Sequence, residues 1–306
     1  MYVEVEPDAP TERRNPASER LDELPLTDLL RLINEADATV PAAVGAVLPR
    51  IGEAVEAGVR ALTSGGRIHY FGAGTSGRVA FADAAELRPT FALRPDQVVA
   101  HVAGGLDTLW SAAEDAEDDD AAGFRDADGV QPGDLVLGVA ASGATPYVGG
   151  ALRRARSVGA VTGLITSNPA APLAEHADIM IAVDTGPEVI TGSTRMKAGT
   201  AAKLALNTFS TALMVRYGRT FGNLMVCATP SNAKLRKRAV WTLSAAARVD
   251  SDLAAEALAL AGDEPSVALL MLLGAPDGKL ADAEMARSAL QAAGGAIGPA
   301  VRMIQN

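Results

Sequence analysis

Arg67–Leu87 reads RIHYFGAGTSGRVAFADAAEL. Arg67–Gly72 is a short apolar run of strand length, the GAGTSG turn (Gly72–Gly77) follows it, and helix formers cover about Gly77–Leu87. A strand that passes through a glycine-rich turn into a helix is the repeating unit of a parallel sheet. The same order recurs along the chain. Gln97–Ala103, Asp134–Ala141, Val161–Thr166 and Ile179–Val183 are four more short apolar runs, separated by helical or turn-rich segments. Near-continuous apolar strands are what a sheet covered on both faces requires. The expected fold is therefore α/β: a three-layer α-β-α sandwich on a five-stranded parallel sheet.

The flanks differ. Residues 1–25 carry prolines and charges without helical period and read as an arm. A short helix with Leu26, Leu29, Leu30 and Ile33 on one face follows. Thr39 is expected to cap a longer helix that runs to Gly65-Gly66, with Pro41 in its first turn, where proline is tolerated. Asp107–Asp118 is expected as another helix. From about residue 231 the pattern is helix after helix: Asn232–Val249, Ser251–Ala261, Pro265–Leu273 and Lys279–Ala293. The expected division is 1–38 as arm and short helix, 39–226 as the sheet domain, and 227–306 as a small all-helical C-terminal subdomain.

Composition narrows the function. Of 306 residues, 48% are hydrophobic, ample for a large core, and the formal net charge is −10. No broad basic surface is expected, which argues against a nucleic-acid partner. A single cysteine, Cys227, allows no internal disulfide and suits a reducing compartment. MYVEVEPDAPTERR has no apolar core, so no secretory signal is expected, and no apolar run approaches the ~20 residues of a membrane span. A soluble, cytoplasmic protein without a membrane partner is the expectation.

Three loops carry hydroxyls. GAGTSG offers Thr75 and Ser76 at a helix start. Its GxGxxG spacing lacks a following strand that ends in an acid, and it has no GK[ST], so neither a dinucleotide nor a P-loop site is implied. ASGATP (Ala141–Pro146) again follows a strand and opens a helix, with Ser142, Gly143 and Thr145. GPEVITGSTRMKAGTAAK (Gly186–Lys203) brings Thr191, Ser193 and Thr194, with Arg195 and Lys197, up to a third helix. Each hydroxyl by itself is more often a helix cap. Three such loops together favour a small anionic ligand, because the first N–H groups of a helix have no partner within it. His69, His101 and His176 share no motif with one another. They are given no role, and no metal or cofactor is expected. Among carboxylates, Glu86 sits among alanines before Pro89 and is expected to be partly desolvated. Glu117 lies in AEDAEDDD (Ala113–Asp120), a run whose ordinary reading is a solvated helix end.

Gly186–Lys203 resembles the signature shared by the N-acetylmuramic acid 6-phosphate etherases and the glucokinase regulatory protein. The two hydroxyl loops after strands resemble the sugar isomerase (SIS) domain, in which serines and threonines hold a sugar phosphate. The likeness extends from TERRNP (Thr11–Pro16) to ATPSNAKLRKR (Ala228–Arg238) and the C-terminal helices. It implies that Ser142 and Thr145, with Gly143, bind phosphate, and that Thr75, Ser76, Thr191, Ser193, Thr194 and Lys197 line the sugar site. The etherase catalytic glutamates fall in D-A-S/A-E-C-P-P-T and G-A-E-D motifs, which Glu86 and Glu117 match. Leu87-Arg88 replaces Cys-Pro in the first motif, and Asp115 replaces Gly in the second. The activity implied is metal-free cleavage of a lactyl ether from an amino-sugar phosphate. A homodimer is implied too, with its site near the subunit interface; Glu86 lies ten residues beyond Ser76, roughly 15 Å along a helix. The alternatives are a sugar-phosphate-sensing regulator, which shares the signature but carries two SIS domains, and an aldose–ketose isomerase, against which the two glutamate motifs speak.

Overall fold

The computed structural model describes residues 9–111, 115–274 and 279–305, which divide into two compact units. One comprises the described residues up to 84 with 96–210; the other comprises 85–95 with those from 211 onward.

The first unit holds five strands: β1 (Ile68–Gly72), β2 (Val98–Val102), β3 (Leu135–Val139), β4 (Val161–Thr166) and β5 (Ile179–Ala182). All pair in parallel, in the order β2-β1-β3-β4-β5. β1 and β3 are buried at every position, which is why both read as unbroken apolar runs. The helices are α1 (Leu26–Asp37), α2 (Val40–Ala46), α3 (Leu48–Thr63), α4 (Gly74–Phe91), α5 (Asp120–Asp126), α6 (Pro146–Ser157) and α7 (Lys197–Arg216). The last turns of α4 and of α7 belong with the second unit. One face of the sheet packs Phe71, Val136 and Leu164 against Tyr147, Val148 and Leu152 of α6. On the other, Tyr70 of β1 meets Phe209 of α7 edge-on, with ring centroids 6.4 Å apart, and α3 lies against β1, β3 and β5.

Strand order positions the site. The chain leaves β1 outward to β2, then returns across β1 to β3. The turns after β1 and β3 therefore diverge to opposite faces and open a crevice at the carboxyl ends of two neighbouring strands, the usual ligand position in such sheets.

Several elements depart from the sequence expectation. The helix expected from Thr39 to Gly65 is two helices, broken between Ala46 and Leu48, and Pro49 occupies the first turn of the second. Thr39 caps neither; its hydroxyl donates to the Ala36 carbonyl. α4 begins three residues early, at Gly74, and continues past Leu87 through Pro89. Asp107–Asp118 is not a helix: a single 3-10 turn covers Leu106–Leu109, Asp115–Asp118 is a turn, and 112–114 lie outside the described residues. Helix begins instead at Asp120, where Asp119 accepts from the Ala122 N–H at 2.8 Å. A run of like charges disfavours a helical turn, whereas a capping acid starts one.

The second unit is helical: α8 (Ala233–Ala247), α9 (Ser251–Leu260), α10 (Pro265–Leu273), α11 (Ala283–Ala292) and α12 (Ile297–Gln305), the last not anticipated. Asn232, Asp250 and Asp282 cap α8, α9 and α11 through their side chains. α10 is apolar all round and buried from Val267 to Leu272, so it forms the centre of this unit. Among the described residues, no helix is long and apolar enough to cross a membrane.

Candidate active site

Gly72 and Val139 are register partners at the ends of β1 and β3, so the first two hydroxyl loops leave the sheet about 5 Å apart. In the first loop two glycines touch through their backbones: a Cβ on Gly77 would fall 2.7 Å from the Gly72 carbonyl oxygen. Gly74 turns with φ +52°. Among the described residues, none accepts from the N–H groups of Gly74, Thr75 or Ser76, so the start of α4 keeps free donors beside two half-buried hydroxyls. Thr75 also lies beside the start of α7; its methyl is 3.3 Å from where a Cβ on Gly199 would stand.

The second loop is held from beneath by residues that the sequence reading passed over. At the end of β4, the Thr166 hydroxyl and the Ser167 N–H donate to the Ala141 carbonyl, and the Asn168 amide donates to that of Ser142 at 3.0 Å. Gly143, with φ +69°, is required because a Cβ there would sit 2.3 Å from that of Ala171. The Ser142 hydroxyl accepts from the Ala144 N–H. Thr145 precedes α6 without capping it.

Glu117 is brought to this loop. Its carbonyl accepts from the N–H of Tyr147, in the first turn of α6, at 3.0 Å, and its residue is exposed. The approach depends on glycines. A Cβ on Gly123 of α5 would lie 1.8 Å from the Tyr147 carbonyl oxygen, and one on Gly150 of α6 would lie 2.0 Å from that of Asp120. α5 therefore sits directly on α6, and the turn before it lies over the α6 start.

Glu86 stands on the part of α4 that belongs with the second unit and is exposed. The expected desolvation is absent, because its alanine neighbours in sequence are spread around the helix and do not cover it. Its neighbour in the same motif, Asp83, is the buried carboxylate, 4% exposed. It accepts from the Tyr70 hydroxyl at 3.2 Å and the Ser210 hydroxyl at 3.0 Å, tying α4 to β1 and α7. Burial raises its pKa, and the Ser210 hydrogen bond opposes that rise.

The third loop departs most from expectation. The start of α7 offers no free donor to a ligand. Glu188, fully buried, accepts from the N–H groups of Lys197 at 3.0 Å and Ala198 at 2.9 Å. Those of Gly199 and Thr200 donate to the Thr194 and Met196 carbonyls. Lys197, expected to meet the ligand, is 6% exposed, and its ammonium donates to the Thr185 carbonyl at 2.5 Å. Thr191 is exposed; Ser193 and Thr194 are half-buried. The N-terminal arm rests on this loop, with the Gly192 N–H donating to the carbonyl of the buried Thr11.

Two of the three histidines lie within the sheet, His69 on β1 and His101 on β2, and His176 ends a 3-10 turn before β5. His69 and His101 approach to 3.2 Å through ring nitrogens, and His101 stacks on Phe71 at 4.2 Å between centroids. Burial lowers both pKa values, that of His101 to about 4, where the neighbouring His69 adds to the effect. Asp134 beside His69 opposes the fall there.

Profiles of the glucokinase regulatory protein N-terminal SIS domain and of the SIS domain match residues 50–156 and 113–212. An N-acetylmuramic acid 6-phosphate etherase of Thermobifida fusca (strain YX) is 56% identical over 265 residues, 87% of each chain. The chain belongs to the N-acetylmuramic acid 6-phosphate etherase family. The etherase of Aeromonas hydrophila is 45% identical across 94% of this chain and 95% of its own. A phosphoheptose isomerase from Francisella tularensis, 18% identical, shares the fold alone: its whole chain superposes on 63% of this one with a TM-score of 0.52.

Proposed function

We propose that this protein cleaves the D-lactyl ether of N-acetylmuramic acid 6-phosphate, giving N-acetylglucosamine 6-phosphate and D-lactate, in the recycling of cell-wall amino sugars. Membership of the etherase family supports the reaction. The observation that supports the site is the hydrogen bond from the Tyr147 N–H to the main-chain carbonyl of Glu117, which ties the turn carrying a family glutamate to the start of α6, two residues after Thr145.

In this reading the phosphate lies on the second loop, with Ser142 and Thr145 as donors, and the free N–H groups and hydroxyls of Thr75 and Ser76 face the sugar. Thr191, Ser193 and Thr194 line it from the third loop. Lys197 acts from beneath that loop. Ring opening exposes an aldehyde at C1, which acidifies the proton on C2. One carboxylate removes that proton, and the electron pair forms the C2–C3 double bond as the C3–O bond breaks. The departing lactyl oxygen takes a proton from an acid. Water then adds at C3, its hydroxyl bonding to carbon and a proton returning to C2, so that substrate and one water balance the two products. Glu86 handles the sugar protons, and Glu117 serves the leaving group and the water. Anchoring the phosphate holds C2 and C3 against these groups.

A cytoplasmic homodimer completes the proposal. α1 buries none of its residues and leaves Leu26 at 69% and Leu30 at 57% exposure, a face suited to a second copy. Light scattering measures the mass. Incubating the purified protein with N-acetylmuramic acid 6-phosphate and assaying D-lactate tests the reaction. Release of D-lactate is expected, whereas binding without turnover would favour the sensor reading.

A further inference from the structure

We propose that Glu188 is a positioning residue that serves as the resident anion of the α7 N-terminus, reserving that helix end from the substrate and closing the loop of residues 189–196 at its base. The inference rests on the etherase reading for its effect on KM, but not for its structural part.

α7 is twenty residues long, and the start of such a helix attracts an anion through its unpaired N–H groups and its dipole. Here both Glu188 oxygens take up that role, one on Lys197 N–H and one on Ala198 N–H. Two charge-assisted bonds from one carboxylate are strong and directional. No part of the residue reaches solvent. A substrate phosphate thus finds every first-turn donor of α7 occupied, while at the start of α4 three N–H groups have no acceptor among the described residues.

The same contact closes a loop. Glu188 and Lys197 stand at the two ends of the segment that carries Thr191, Ser193 and Thr194. The buried Lys197 ammonium adds a second tie, to the Thr185 carbonyl. The Thr185 hydroxyl is buried and has no hydrogen-bond partner among the described residues. Truncating Glu188 would leave an empty, positively polarised pocket of carboxylate size at the head of α7.

Formate is the probe. Glu188→Ala should melt lower than the parent, and formate should raise its melting temperature while leaving that of the parent unchanged. In turnover, KM for N-acetylmuramic acid 6-phosphate should rise about tenfold with kcat less affected, the equivalent of ~1.4 kcal/mol of binding, and formate should lower it again. Glu188→Gln, which keeps the shape but opposes an amide NH₂ to a helix N–H, should show the same KM defect without rescue. If Glu188→Ala does not fold, Glu188→Gln decides. A melting temperature and KM equal to the parent's in Glu188→Gln, or no differential effect of formate on a folded Glu188→Ala, overturns the inference. The formate melts use no substrate, so a parent protein without etherase activity would count against the proposed function alone.

Discussion

Replacing Gly123 by alanine tests how Glu117 is held. The new Cβ would stand 1.8 Å from the Tyr147 carbonyl oxygen, whereas ordinary contact needs about 3.5 Å. That oxygen is main chain inside α6 and cannot swing aside, so α5 must retreat by about 1.7 Å. Glu117 lies three residues before α5, and its 3.0 Å hydrogen bond to Tyr147 would be stretched beyond use. Overpacking of this kind costs about 1–3 kcal/mol, and the lost bond adds about 1 kcal/mol. Urea unfolding should therefore show a loss of roughly 2–4 kcal/mol. Turnover should fall more than stability implies, since about 1 Å of misplacement costs on the order of 100-fold. Gly52→Ala is the control: that glycine lies within α3 with nothing inside 4 Å of a new Cβ, and it should be neutral or stabilising by about 0.5–1 kcal/mol. A Gly123→Ala protein with the stability and D-lactate release of Gly52→Ala would refute the reasoning.

Three further outcomes follow from the same structure. Glu86→Ala and Glu117→Ala should each abolish D-lactate release while sugar-phosphate binding by calorimetry persists; near-normal turnover in either removes that residue from the chemistry. Ser210→Ala leaves the buried Asp83 carboxylate with one donor fewer, and a loss of about 1–3 kcal/mol in urea unfolding is expected, against little change for Ser157→Ala, whose exposed hydroxyl donates to the Arg154 carbonyl. The histidine pair makes stability depend on pH. Both pKa values are depressed in the folded state, so the unfolded chain binds more protons below about pH 6.5. Their contribution is complete above that value and is lost as pH falls toward about 4. For His101 the loss is on the order of 3 kcal/mol, and His101→Leu should flatten the unfolding free energy between pH 7 and pH 4.5.

What was legible in the chain was what its periodicity encodes directly. β1 and β3 are buried at every residue, so their apolar runs could be read without knowing their partners, and the turns after them followed at once. Strand order was not legible, because a parallel strand names no neighbour; yet that order is what sets GAGTSG and ASGATP side by side. The carboxylates mark the limit more sharply. Asp83, Glu86 and Glu188 look alike in sequence, each an acid among small or apolar residues. In the folded chain Glu86 is exposed, Asp83 is gripped by two hydroxyls from distant segments, and Glu188 caps a helix nine residues on. In sequence alone, the N–H groups at a helix start look like a vacancy for a ligand. At α4 those N–H groups have no acceptor among the described residues; at α7 the chain supplies its own anion, from the very stretch that suggested the vacancy. The difference turns on whether a flexible loop can fold an acid back onto the helix start. An eight-residue loop with a glycine at φ +78° allows it, and the tight GAGTSG turn, whose two outer glycines touch, does not.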